Sequence, residues 1–288
     1  MLFRLFDRLS LKLFVWLSLA TQIGIVVTGG AVRLTGSGLG CPTWPKCTDD
    51  SLITVPEQGL HGVIEFGNRL LTFVLLVVSA LTLILVWRAG ARALRWPAIW
   101  LVVGIFVQAV LGGFTVLFKL SPWLVGAHFV VSAVMIAIAS ILVWRFYAPT
   151  TVIPQTAYVW ATAISVMGWI AVLIGVLVTG AGPHSGDAET LRNGLDLEVW
   201  QHYHSYPAYL LMIFTLIQLI QLLRADRKVS ELATRITLGL LIAEAAQAVI
   251  GVAQARLGVP PLLVGIHMLG ASILISMITF NFLATRAK

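Results

Sequence analysis

The sequence predicts an all-α, polytopic membrane protein of eight spanning helices, arranged as two four-helix halves that point the same way. Three observations carry that expectation. Hydrophobic residues fill 59% of the 288 positions and charged residues only 11%, too few polar side chains to coat a water-soluble globule of this size. The apolar residues fall into eight continuous runs of about 20, the length that a hydrocarbon layer of ~30 Å demands of a helix; they do not alternate with period two as barrel strands would. Finally, residues 108–128, QAVLGGFTVLFKLSPWLVGAH, are written again as residues 247–267, QAVIGVAQARLGVPPLLVGIH. Gln-Ala-Val opens each copy and Pro-x-Leu-Val-Gly-x-His closes each, with 139 residues from Gln108 to Gln247 and from His128 to His267.

The expected helices lie near 12–34, 62–87, 97–119, 124–144, 158–179, 203–223, 237–256 and 262–283. Orientation follows from the basic residues of the short connections. Arg4, Arg8, Lys12, Arg88, Arg92, Arg95, Arg145, Arg224, Arg227, Lys228, Arg235, Arg286 and Lys288 collect on one side, 13 of the 19 Lys and Arg, so that side and both termini are expected in the cytoplasm. The net charge of +7 is scattered over five such segments and reads as a topology signal, with no nucleic-acid footprint. The first run is too long and too weakly punctuated for a cleaved signal peptide and is kept as a helix. Four helices per half is an even number, so the halves, 1–148 and 149–288, form a parallel repeat about an axis along the membrane normal, each a four-helix bundle with its site between inward-facing side chains.

Taken in order, the first helix ends in the glycine-dense segment from Thr28-Gly29-Gly30 to Gly36-Ser37-Gly38, which lets the backbone approach a neighbour or ligand closely. The outer loop then carries Cys41-Pro42-Thr43-Trp44-Pro45-Lys46-Cys47, with the only two cysteines. Outside the membrane two nearby thiols oxidise, so a disulfide is the natural assignment, serving either as a staple or in redox chemistry. The loop ends at His61, and the second helix opens Gly62-Val63-Ile64-Glu65-Phe66-Gly67-Asn68-Arg69. A carboxylate inside the apolar boundary is expensive, which makes Glu65 a functional candidate; the alternative is a structural pair with Arg69, four residues on along one helix face. Pro122 fixes the turn between the third and fourth helices. The fifth helix repeats the theme of the first, ending in Val178-Thr179-Gly180, and leads into a polar loop without cysteine. The sixth opens Trp200-Gln201-His202-Tyr203-His204, and the last two carry the second copy of the repeated stretch.

All six histidines, His61, His128, His184, His202, His204 and His267, fall on the expected outer side. Histidines at helix ends, opposite the starts of helices two and six, can present imidazoles to a flat macrocycle held between apolar walls. Haem iron is the natural acceptor, and Gly126 and Gly265 would relieve crowding beside the ring. In the second half His267 pairs with His204 or His202; aligning helices two and six puts His204 over Asn68 and Gln201 over Glu65. In the first half His128 lacks such a partner, because Asn68 is a poor iron ligand and His61 lies two turns earlier on the same face. The bland alternative is interfacial histidines bonded to backbone carbonyls, which is the favoured reading for His184.

The segment from Thr28 to Gly38, the Cys41/Cys47 pair around Pro-x-Trp-Pro, Glu65-Phe66 before Arg69 and the duplicated Gly-x-His resemble the haem A synthases, over nearly the whole chain. The resemblance implies oxidation of the haem O methyl group to the formyl group of haem A by successive hydroxylations in the cell membrane. It also implies a resident haem b on His204 and His267, substrate haem O facing His128, Glu65 as the catalytic carboxylate, and an outer Cys41–Cys47 disulfide that passes electrons or only staples the loop. The implied partners are haem O and the synthase that supplies it, an electron donor that the sequence leaves unnamed, and membrane lipid. One departure stands out. The family pattern in helix two is Glu-x-x-His-Arg, and here Asn68 occupies the histidine position, so that His61 substitutes, His128 holds the substrate iron alone, or the substrate binds differently. Other functions compatible with the same residues are a di-haem carrier that oxidises quinol without altering a haem, and a haem-free transporter.

Overall fold

A computed structural model of the protein describes residues 2–149, 155–225 and 227–286, with side chains described for 10–149, 156–225 and 231–286. Of the basic residues that set the expected orientation, Lys288 and the side chains of Arg4, Arg8, Arg227 and Lys228 lie outside these described residues. The chain is all-helical, with no strand among the described residues. The helices are α1 (Leu2–Leu34), α2 (Gly59–Arg88), α3 (Arg95–Leu117), α4 (Pro122–Tyr147), α5 (Gln155–Ala181), α6 (Leu197–Arg224), α7 (Arg227–Arg256) and α8 (Pro261–Thr285). Among the described residues eight helices are long and apolar enough to cross a membrane, and the protein is a multi-pass membrane protein. Large apolar side chains such as Phe73, Val77, Ile84, Phe106, Val249 and Ile273 stay exposed, as a surface covered by lipid requires.

Several helices outrun their apolar cores, which is why hydropathy places their ends wrongly. α6 begins at Leu197 and not near 203, because the Asp196 side chain caps it by accepting the Val199 amide at 2.9 Å. α7 begins at Arg227 rather than near 237, and its polar extension carries the i,i+4 pair Glu231–Arg235 at 2.5 Å. α2 starts at Gly59, so His61, expected to end the loop, sits in the first helical turn.

The chain divides into two compact units. Met1–Phe146 with Thr179–Leu195 form the first, and Tyr147–Val178 with Asp196–Lys288 the second. The Thr179–Leu195 segment is tied into the first unit by Arg33, which donates to the Thr179 carbonyl at 2.6 Å, and by the Gly38 amide, which donates to the Gly186 carbonyl at 2.8 Å. The first unit's core holds Val15, Leu19, Leu75, Leu101, Ile105, Ile136 and Leu142. Its α1 and α2 are joined by Ser18 and Thr82, hydroxyl to hydroxyl at 2.9 Å. The second unit packs Ile164, Leu211, Leu240 and Ile278 against Met167, Phe214, Leu274 and Met277.

The connection after α3 and the one after α7 have the same backbone shape. Lys119 and Leu120 take φ of 48° and 56°, and Gly258 and Val259 take 75° and 62°. The amide of Leu120 returns to the Thr115 carbonyl at 2.7 Å and that of Val259 to the Gln254 carbonyl at 2.8 Å, the six-to-one closure of a Schellman turn. Left-handed backbone costs a non-glycine residue roughly 1–2 kcal/mol. In the first unit Leu120 offsets that by burying its side chain against Gly38 and Gly186. Pro122 and Pro261 then open α4 and α8, where a missing amide hydrogen is harmless.

Candidate functional site

In the second unit, α6 and α8 bring His204 and His267 together with ring centres 6.3 Å apart and planes at 71°. Two imidazoles bound from opposite sides to one metal ion through nitrogen, at about 2 Å each, have ring centres roughly 6.3 Å apart. Nδ1 of His204 lies 3.0 Å from the Ala171 carbonyl of α5, which sets the tautomer and leaves Nε2 available. Nδ1 of His267 is buried without a protein partner. Three positions hold the rings. A Cβ on Gly175 would stand 3.0 Å from His204 Cε1, and one on Gly251 would stand 3.3 Å from His267 Cε1. From α7, Gln247 Nε2 donates to the His267 carbonyl at 3.0 Å. His202, the alternative partner, is exposed. Among the described residues no three His, Cys, Asp or Glu gather at one point, so the donor set is a pair of imidazoles, and the pair fits the two axial positions of a haem.

The first unit gathers a different set. Cys41 and Cys47 form a disulfide and are both fully buried. Glu65, 5% exposed on α2, accepts the Cys41 amide on Oε2 at 2.6 Å and Arg69 on Oε1 at 2.6 Å. Arg69 spreads its remaining hydrogens over the carbonyls of Cys41 (2.7 Å), Thr43 (3.0 Å) and Lys46 (3.1 Å). The Glu65–Arg69 pair weighed as a structural alternative is therefore present, and it fastens the disulfide loop to the membrane-embedded helix. The loop in turn lays Trp44 on α3, where a Cβ on Gly113 would strike the indole at 2.5 Å. Next to it, a Cβ on Gly112 would stand 3.4 Å from His128 Cε1. Gln108 donates to the His128 carbonyl at 3.1 Å and to the Ser132 hydroxyl, and His128 Nδ1 is buried without a protein partner. The carboxylate thus holds the disulfide loop, and α3 meets the loop's Trp44 at Gly113 and the His128 ring at the neighbouring Gly112.

His61 is exposed, and its Nδ1 lies 2.9 Å from the Ser37 hydroxyl. Asn68 accepts the Thr28 hydroxyl on Oδ1 at 2.8 Å. Gln108, Gln247, Gly112, Gly175 and Gly251 were not singled out from sequence as site residues. Their signal was available: Gln-Ala-Val-x-Gly in each copy sets the carbonyl clamp and the ring clearance four residues apart on one helix face. Glu244 on α7 is a further omission, 5% exposed, with Oε1 accepting the Thr215 hydroxyl at 2.9 Å and Oε2 unpartnered.

The fold and these constellations define a class: a multi-pass helical membrane protein with a close histidine pair in one unit and, in the other, a single half-buried histidine and a carboxylate-anchored disulfide loop. The chain belongs to the COX15-CtaA family, described as cytochrome oxidase assembly protein, whose family model matches residues 12–279. It is similar to the heme A synthases of Halalkalibacterium halodurans, 31% identical over 136 residues (46% of this chain and 45% of that protein), and Alkalihalophilus pseudofirmus, 30% identical over 134 residues (43% of each). In those alignments the chain spans less than half the length of its relatives. With the heme A synthase of Listeria welshimeri it is 25% identical over 284 residues, 92% of each chain.

Proposed function

We propose that this chain is a haem A synthase, an oxidoreductase that converts the methyl group of haem O to the formyl group of haem A by successive hydroxylations in the membrane. The observation that carries the reading is the unlike company kept by the two histidines that close the repeated stretch. His267 faces a second imidazole, whereas His128 meets none among the described residues and lies against α3 at Gly112, one residue from where the carboxylate-anchored loop lays Trp44. We take the two halves as copies of one four-helix unit that have diverged in this respect.

On this reading His204 and His267 hold the resident haem b, which supplies one-electron transfer when bound. His128 faces the substrate haem, with His61 at the mouth of the same α2 face. The apolar walls of the bundle exclude water from the substrate's ring edge. Glu65 is the group that responds to the charge and proton changes at the reacting carbon. Its geometry suits that role: Oε2 accepts only the Cys41 amide, so a lone pair remains to take a proton, while Arg69 and the loop backbone keep the carboxylate from swinging away. The disulfide loop lies on the same carboxylate and is the natural entry point for electrons. Family likeness to heme A synthases and the positive-inside pattern support a cell-membrane protein with cytoplasmic termini and its histidines and cysteine loop outside. The partners of the reaction are haem O, the synthase that makes it and a reductant.

Expressing the chain in a membrane that already makes haem O, then separating the extracted pigments, tests the reading. Haem A with its hydroxylated intermediate is expected. Absence of both, with the protein inserted and haem-loaded, would show a carrier that leaves its haems unmodified.

A further inference from the structure

The position opposite His128 differs from the one opposite His267 in a way that bears on iron chemistry. α1 and α5 share the pattern Gly-x-x-Val-Thr-Gly, from Gly24 to Gly29 and from Gly175 to Gly180. In the second unit Gly175 is filled from outside by the His204 ring, and His204 is anchored one turn below, on the Ala171 carbonyl. In the first unit the residue matching His204 is Asn68. Its amide is drawn to Thr28, one turn towards the loop end of α1 from Gly24, with a Cβ on Gly29 3.9 Å from Asn68 Nδ2. A Cβ on Gly24 would meet nothing within 4 Å. The ring that fills the matching place in the second unit has no counterpart here.

His61 does not supply one. It lies seven residues before Asn68, about 10 Å along the helix at 1.5 Å per residue. Its ring is exposed at the loop end of the helix, and its backbone is fixed there, since a Cβ on Gly40 would collide with the His61 carbonyl. An Asn amide is not among the side chains that hold haem iron.

We propose that the first unit holds haem iron through His128 alone and leaves the opposite axial position, beside Asn68 and Gly24, open to a small exogenous ligand such as water or a diatomic gas. The inference rests on the reading of the first unit as a haem site. It assigns Asn68 as the residue that keeps the position open, its side chain turned away by Thr28. The second unit, with both imidazoles in place, remains closed to such ligands.

The test uses the full-length protein in detergent, loaded with haemin: electron paramagnetic resonance reads the spin state of the ferric form, and carbon monoxide binding is then read from the visible spectrum after reduction. We expect two haems per chain, one low-spin and inert, one high-spin and carbon monoxide-binding. Asn68→His should convert the second to a low-spin, inert form, whereas Asn68→Ala and His61→Ala should keep its carbon monoxide binding. Two haems that are both low-spin and inert in the unsubstituted protein, or loss of the high-spin form in His61→Ala, would overturn the inference while leaving the haem site standing. A single haem per chain that survives His128→Ala would overturn the first-unit haem site itself, and this inference with it.

Discussion

The two units bury matching positions and put different chemistry in them. Taking α6 over α2 as His204 lies over Asn68, and α7 and α8 over α3 and α4 by the spacing of the repeated stretch, the second unit places Gln218, Thr237, Glu244 and Asn281 where the first has Thr82, Ala98, Ile105 and Leu142. All eight are buried. In the second unit Asn281 donates to Gln218 at 2.9 Å and accepts from Thr237 at 2.8 Å, and Thr215 donates to Glu244. At these positions the first unit keeps a hydroxyl pair, Ser18 with Thr82. Near the histidines the contrast reverses: the first unit is the polar one, through Glu65, Arg69 and the loop carbonyls, and the second presents little but two imidazoles. Burial is thus set by helix register and is shared, while the polar content at each depth differs; on the proposed reading it follows the task of each unit. A resident cofactor needs two firm donors; a substrate that must react and leave needs one donor and a reactive group nearby.

The sharpest way to break the comparison is at the histidines. His204→Ala or His267→Ala should abolish the resident haem, seen as loss of its visible absorbance, whereas His128→Ala should keep that absorbance and lose turnover. Bleaching by His202→Ala and not by His204→Ala would mean that the pairing seen between the rings is not the one that binds. Next in size is the carboxylate. Glu65→Gln, which keeps the size but leaves one accepting oxygen for the two donors Cys41 N–H and Arg69, should lower turnover about 10²–10⁴-fold, the range for loss of a positioned acid or base, with resident haem content unchanged in the purified protein. A full rate in Glu65→Gln would reduce the carboxylate to the fastener of the loop.

Smaller effects come from exchanging counterparts between the units. Asn281→Leu installs the first unit's residue and strands Gln218 and Thr237, at a cost of about 1–3 kcal/mol in unfolding from detergent; adding Thr237→Ala should recover part of it. Gly113→Val installs the second unit's Val252 and drives a side chain into Trp44. Overpacking of that kind costs about 1–3 kcal/mol, and a change in tryptophan emission should accompany it. The mildest change alters a position where both units have glycine, Gly112 and Gly251: Gly112→Ala would put a Cβ 3.4 Å from the His128 ring. It should loosen substrate-haem binding a few-fold, with the resident haem unaffected.

The helices and the doubled stretch were legible in the sequence, because apolar run length and a 139-residue spacing are one-dimensional quantities; Glu65, His128, His204 and His267 were named as candidates from residue type and place along those runs. Helix ends were less legible. The Asp196 cap and the polar turns of α7 lie outside the apolar signal, and His61 was assigned to a loop that had already become helix. Between His202 and His204 the sequence offered only the alignment of helices two and six, which puts His204 over Asn68 and leaves His202 open. They are two residues apart, hence on different faces of α6, and in the structure it is His204 that meets α8 and the Ala171 carbonyl. Arg69 was read as a partner of Glu65, but nothing local announces that the same guanidinium binds three carbonyls of a loop more than twenty residues away.

By itself the sequence determined the class of solvent the chain lives in, the number of its helices and the residue types available for iron and proton chemistry, since each of these follows from composition and local periodicity. Tertiary structure decided which of those residues meet: His204 with His267, Glu65 with the Cys41 amide, Trp44 with Gly113, Asn68 with Thr28. The physical reason is that a helix constrains its own neighbours three and four residues apart, whereas the partner across an interface depends on how two surfaces pack. Glycines at Gly112, Gly113, Gly175 and Gly251, silent in a hydropathy reading, are where that packing becomes specific.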